Sequence, residues 1–186
     1  MIFQSYDARK KINCETDIRN AEMQTIHIFV QTWVPDYLVR ILKDPNFSYE
    51  LFEWNKIIKL SMVVGSPFRC YQALTNSQLD GLLCLSLESH KLKIEFIATA
   101  PWNYYTVGKM RRIGSGMIYF AIKRGIYAGG KGDFYLNALP DAENFYQKIG
   151  MVKTGQINQV NLNEYYMPVK EASSYLKTFK KYVIQE

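Results

Sequence analysis

Six consecutive residues carry the clearest chemical signal in the chain: Arg111-Arg112-Ile113-Gly114-Ser115-Gly116. The first turn of an α-helix leaves backbone N–H groups unpaired and carries partial positive charge. Glycines at 114 and 116 would let a ligand approach that backbone with no Cβ in the way. Arg111 and Arg112 add charge at the entrance. The run stands between a strand-like segment ending at Pro101 and a helical one beginning near Gly114. Arg-x-x-Gly-x-Gly in that place is a site for phosphate groups. The competing reading is a glycine-rich helix start and nothing more; placement between strand and helix favours the phosphate site. A second glycine run, Gly125 to Lys131, has the spacing of a Walker A loop. It is rejected, because Gly132 stands where a Ser or Thr must reach Mg²⁺ and because the run follows a helix rather than a strand. It reads as a helix end and a turn.

The elements around the loop follow from periodicity. Residues up to about Cys14 are polar and read as loosely held. Thr16 to Leu42 reads as helical, interrupted at Pro35. Asp44-Pro45-Asn46 marks a turn, and Ser48 is placed to cap a second helix from Tyr49 to Val64. Phe68 to Thr75 and Gln78 to Leu87 read as strands joined by a hairpin at Asn76-Ser77. A turn from Glu88 leads to a third strand, Lys91 to Ala100, apolar on both faces and therefore central. An irregular connection, Trp102 to Met110, leads into the loop and a helix to Tyr127. Then come a strand (Asp133 to Leu139), a short helix (Pro140 to Ile149), two strands (Met151 to Asn158, Glu164 to Val169) and a C-terminal helix from Glu171. That order predicts an α/β (α+β) fold, a mixed, mostly antiparallel central sheet flanked by helices. One domain is expected over 1–186, with a helical part at 1–67, the sheet and binding core at 68–170 and a helix at 171–186.

Composition sets the outer limits. With 48% hydrophobic residues and 22% charged, the 186-residue chain can bury a sizeable core. The net charge of +6 suits an anionic ligand such as a nucleotide coenzyme. The basic residues are scattered, and the absence of a concentrated stripe speaks against nucleic acid. Cys14, Cys70 and Cys84 show no CxxC spacing and read as free thiols in a reducing compartment. His27 and His90 lie far apart, so no metal site is expected. No run is long enough to span a bilayer, and the N-terminus lacks the apolar segment of a signal peptide. A cytoplasmic protein with no membrane partner is the default expectation.

The stretch from Ile94 to Gly155 resembles the core of the GNAT acetyltransferases. The parts that carry the resemblance are Ile97-Ala98-Thr99-Ala100-Pro101, the Arg111 to Gly116 loop with its helix, and Phe145-Tyr146-Gln147-Lys148-Ile149-Gly150-Met151. They occur in that superfamily's order and spacing. The run Ala98 to Asn103, with Leu139-Pro140 and Phe145-Tyr146, also resembles an uncharacterised bacterial branch of it. The resemblance is strong over about a third of the chain; the flanks fit in element order only. Three departures stand out. The connection from Trp102 to Met110 is long, Met151 replaces a common Phe, and Leu139 replaces a common Asn.

The resemblance implies an acyl-CoA N-acyltransferase fold and transfer of an acetyl group from acetyl-CoA to an amine, with no metal. The partners implied are acetyl-CoA and an amine acceptor on a small molecule or protein; a homodimer is compatible. It implies a coenzyme site formed by Arg111, Arg112, Ile113, Gly114, Ser115 and Gly116, with Asn144 from the short helix. It also implies that a backbone N–H among Ile97, Ala98 and Thr99 polarises the thioester carbonyl. Tyr146, at the motif position, is the candidate to protonate the leaving thiolate; a packing role competes with this, since the chain has 14 tyrosines. Glu95, read on the same strand face as Ile97 and Thr99, is a candidate base acting through water, against a plain ion-paired role. His90 is a weaker candidate, and water alone can accept the proton. Trp33, Phe52, Trp54 and Trp102 read as core, with an aromatic acceptor pocket as the alternative. Two other functions fit the same residues: an acyl-CoA-binding module without turnover, and a toxin acetylating aminoacyl-tRNA.

Overall fold

The computed structural model describes residues 1–44, 49–88, 91–104 and 110–186. The chain opens with two strands, β1 (Ile2–Asp7) and β2 (Ile12–Asn20). This corrects the loose N-terminus and the helix from Thr16. The cause lies in what faces inward. β1 buries Phe3, Ser5 and Asp7, and β2 buries Cys14, Thr16 and Ile18. Half of those positions are polar, so no apolar alternation shows in the sequence. The buried hydroxyls satisfy one another: Thr16 donates to Ser5 Oγ at 2.8 Å and lies 2.7 Å from Thr75 Oγ1.

Helix α1 (Met23–Lys43) follows and runs through Pro35 without ending there. Its inner face carries Phe29 and Trp33, both buried. That tertiary burial outweighs the lost helical bond at Pro35. Helix α2 covers only Trp54–Ser61, so 49–53 are not helical as expected. The turn residues 45–46 and the expected cap Ser48 lie outside the described residues.

The hairpin is where the sequence places it. β3 (Phe68–Thr75) and β4 (Gln78–Glu88) turn at Asn76 and Ser77, whose φ angles are 50° and 65°. β5 (Lys91–Thr99) pairs antiparallel with β4. A short helix, α3 (Pro101–Tyr104), and a two-residue strand, β6 (Met110–Arg111), occupy the ends of the expected irregular connection; 105–109 lie outside the described residues. Then come α4 (Ile113–Tyr127), β7 (Phe134–Ala138), α5 (Pro140–Lys148), β8 (Val152–Ile157), β9 (Asn163–Met167) and α6 (Val169–Phe179). Instead of continuing as helix, the C-terminus passes through a 3₁₀ turn (Lys180–Tyr182) into β10 (Val183–Gln185).

The ten strands among the described residues join one sheet in the order β10-β1-β2-β3-β4-β5-β7-β9-β8, with β6 beside β1. Among the described pairings only β5–β7 is parallel. The expected mixed, mostly antiparallel sheet is therefore observed. Alternate residues feed two cores. Leu83, Leu85, Leu92 and Ile94 face α4 and α6, while Leu82 and Cys84 face α1 and α2. Among the described residues no helix is long and apolar enough to cross a membrane.

Candidate active site

The site is built where β5 and β7 part. Their pairing spans Leu92↔Phe134 to Ile94↔Leu136 and then stops. At that point β5 bulges: Leu85 faces Ile94 and Cys84 faces Phe96, which leaves Glu95 without an opposite residue. A bulge bends a strand and sharpens its twist. Beyond it β5 stays with β4 while β7 turns into α5. The gap opens into a cavity of about 670 Å³. Ile97, Ala98 and Thr99 form one wall; Leu139, Ala142, Phe145 and Tyr146 form the other. Gly114 closes the α4 side, and Tyr49 and Phe52 reach in from the α2 side.

The ladder decides which backbone groups face this gap. Ala100 N–H donates to Asp80 C=O at 2.9 Å, and the register runs Gly81↔Thr99, Leu82↔Ala98, Leu83↔Ile97. Bonded and non-bonded pairs alternate in an antiparallel ladder. Ala98 therefore bonds to β4, while Ile97 and Thr99 turn their N–H and C=O groups into the gap. The Thr99 carbonyl duly accepts a 2.8 Å bond from the Tyr49 hydroxyl. Of the three expected donors, Ile97 and Thr99 face the gap and Ala98 does not.

The loop from Arg111 to Gly116 does start a helix, directly after β6. Arg112 sits in the left-handed region at φ 74° and accepts the Gly116 N–H at 2.8 Å. Gly116 N–H is thus spent inside the helix, and the first-turn donors are those of Ile113, Gly114 and Ser115. The glycines have separate jobs. A Cβ on Gly114 would meet only Thr99 Cγ2, at 3.8 Å, and the residue borders the cavity. A Cβ on Gly116 would lie 2.4 Å from the Phe3 ring. Gly116 therefore lets α4 close on β1 rather than admitting a ligand. The Arg112 guanidinium stacks 4.3 Å from the Tyr182 ring and 5.9 Å from Tyr6, which ties it to the C-terminal segment. The Arg111 side chain lies outside the described residues. From α6, Tyr175 donates to the Ser115 carbonyl at 3.0 Å and braces the helix start.

Tyr146 is 6% exposed and lines the cavity. Among the described residues its hydroxyl has no hydrogen-bond partner, and burial alone pushes its pKa well above the usual phenol value. Glu95 sits differently from expectation. The bulge rotates it away from the face of Ile97 and Thr99. Its carboxylate accepts from Ser86 Oγ at 2.6 Å and pairs with Lys93 Nζ at 2.8 Å. It borders a small annex of about 60 Å³ that shares Phe52, Ile97, Leu139 and Tyr146 with the main cavity. Asn144 lies on the exposed side of α5, away from the cavity lining. His90 lies outside the described residues. Trp33, Trp54 and Trp102 are core, and Phe52 alone of the four aromatics lines the cavity. Among the described residues no cluster of His, Cys, Asp and Glu could hold a metal ion.

Several residues of the site carry no motif. Asp80 is buried beneath α3, where it accepts from Trp102 Nε1 and Asn103 Nδ2, both at 2.8 Å. This fixes the turn that ends β5 and places Asn103 on the cavity. A lone carboxylate inside Leu79-Asp80-Gly81-Leu82-Leu83 was a visible signal. Tyr49 and Glu50 gave none.

No family model matches the chain, and no curated protein matches it by sequence. Solved structures do match. A PaiA N-acetyltransferase from Thermoplasma acidophilum, in complex with coenzyme A, aligns over 81% of this chain and 97% of its own at 16% identity, with a TM-score of 0.57. A GNAT-family acetyltransferase from Staphylococcus aureus Mu50 aligns over 83% and 99% at 14% identity, TM-score 0.57. Ard1 from Thermoplasma volcanium aligns over 82% and 95% at 17% identity, TM-score 0.53. This chain shares its overall fold with those acetyltransferases.

Proposed function

We propose that the chain is a GNAT-superfamily N-acetyltransferase, of the bacterial branch that its Ala98–Asn103 run resembles, and that it moves an acetyl group from acetyl-CoA to an amine. The carrying observation is the split between β5 and β7. It brings outward-facing backbone N–H groups, an unpartnered buried phenol and a helix N-terminus to one cavity. The residues fit the coenzyme. Ile113, Gly114 and Ser115 N–H groups would hold its pyrophosphate, and the apolar walls suit the arm that carries the thioester. The coenzyme bound to the Thermoplasma acidophilum protein of the same fold supports that reading.

The chemistry then assigns itself by position. The amine, in its neutral form, attacks the thioester carbonyl in a ternary complex. The Ile97 N–H, fixed by the ladder, donates to the developing oxyanion; a preorganised donor of this kind costs no reorganisation when charge appears. The C–S bond breaks as the Tyr146 hydroxyl gives its proton to the sulfur. The surplus proton of the attacking nitrogen leaves through water, with Glu95 at the annex as its acceptor. One unit performs all of this, since a single sheet runs from residue 2 to residue 185. The test is release of coenzyme thiol from acetyl-CoA across a panel of amines. Amine-dependent release supports transfer. Coenzyme binding with no turnover on any amine would leave a binding module instead.

A further inference from the structure

From the charge of the cavity lining, and resting on the acetyltransferase reading, we infer that the acceptor is an amine bearing a second positive charge, held by Glu50 at the mouth of the cavity. The cavity passes through the split in the sheet from one face to the other. Gly114 belongs to α4, on the face of the first core. Phe52 packs with Phe96 at 5.3 Å and with Trp54 at 6.1 Å, on the opposite face. The coenzyme loop occupies the α4 side, so the acceptor enters on the side of Tyr49, Glu50 and Phe52.

Among the described residues, the cavity lining carries one sign of charge, and Glu50 brings it to that entrance. Among the described residues lining the cavity, the ionisable groups other than tyrosine are Glu50 and Asp141; no Lys, Arg or His lines it. Glu50 is exposed and has no ion-pair partner among the described residues. Asp141 stands in the first turn of α5. The Tyr49 and Phe52 rings flank Glu50 in the chain and line the same cavity. An acidic group with two aromatic rings on the same lining suits an ammonium, through ion pairing and through the ring faces. The reacting nitrogen cannot be that ammonium, because it must reach the thioester uncharged. The nine-tenths-buried Tyr146 hydroxyl, without a partner inside the cavity, marks where the reacting end goes. The ammonium is therefore the far end of the acceptor, joined to the reacting nitrogen by an apolar spacer. Phosphate-bearing acceptors, aminoacyl-tRNA among them, meet repulsion at this mouth.

Three amines that differ only at the far end read this directly: cadaverine, hexylamine and aminocaproate, with cationic, neutral and anionic tails. The expected order of kcat/KM is cadaverine above hexylamine by about tenfold, with aminocaproate lowest. The difference sits in KM and shrinks as salt is raised, as a screened surface charge requires. Glu50→Gln brings the cadaverine-to-hexylamine ratio towards one, and Glu50→Lys raises aminocaproate above cadaverine. Equal kcat/KM for the three amines, or ratios unchanged in Glu50→Lys, would overturn the inference. If the protein binds coenzyme A and turns over none of them, the transfer reading fails separately. Titration of the three amines onto the coenzyme A-loaded protein then measures the same preference. Preferential cadaverine binding lost in Glu50→Lys sustains the inference, and indifferent or absent binding overturns it.

Discussion

Tyr146 is defined by what surrounds it. Its hydroxyl is buried, faces a cavity and has no protein partner among the described residues, so the phenol stays protonated far above neutral pH. Such a group is a poor donor on its own, since each pKa unit of mismatch with the thiol costs about 1.4 kcal/mol. In the proposed transfer the proton would therefore move only as the C–S bond breaks. Tyr146→Phe should lower kcat by about a hundredfold or more while leaving coenzyme affinity, measured by calorimetry, nearly unchanged. The pH profile gives a second reading. kcat/KM should rise as the amine deprotonates, with no fall attributable to Tyr146 below about pH 10. The tyrosine was legible from its motif position. The face on which Glu95 lies was not, because a bulge reverses the parity of a strand and sequence alternation cannot reveal it.

Among the elements, the two loop glycines allow packing to be told from the proposed binding, since Gly116 abuts Phe3 and Gly114 borders the cavity. Gly116→Leu should lower the stability of the free protein by about 1–3 kcal/mol or more in urea unfolding, because its Cβ falls on the Phe3 ring. Gly114→Leu should leave the free protein near its normal melting temperature and abolish the shift produced by coenzyme A. An identical loss of stability in both variants would mean that Gly114, too, serves only packing. Asp80→Ala should also destabilise, since it removes the buried acceptor of the Trp102 Nε1 donor at about 1–3 kcal/mol. The hairpin, β5, α4 and α5 were legible because turn residues and caps are local signals. β1 and β2 were not. Their inward positions hold Ser5 and Thr16, whose hydroxyls find partners only across strands distant in sequence. β10 stays hidden for a similar reason: its three residues gain their place by pairing with β1.

The whole molecule carries a pH signature of its own. Burial raises the pKa of Tyr119, Tyr146 and Tyr175, the last to about 12. In the unfolded chain these phenols ionise near pH 10. The folded state holds them protonated, so their contribution to stability is complete below about pH 10 and is lost as pH rises beyond it. Urea midpoints taken across that range should fall steadily, and a flat profile would contradict the burial. The overall architecture was readable from element order, and its match to structures at 14–17% identity shows how little sequence the fold demands. The side proposed for the acceptor was the least readable part, since Tyr49, Glu50 and Phe52 meet β5 and α5 only through the fold.

The split between β5 and β7 is proposed as a site of acetyl transfer. The most direct measurement follows coenzyme thiol release from acetyl-CoA, with and without a cationic amine, in the normal protein and in Tyr146→Phe. Amine-dependent release together with N-acetylated product is expected, both reduced by about a hundredfold or more in the variant. Release at the same rate without amine, or full activity in Tyr146→Phe, would contradict it.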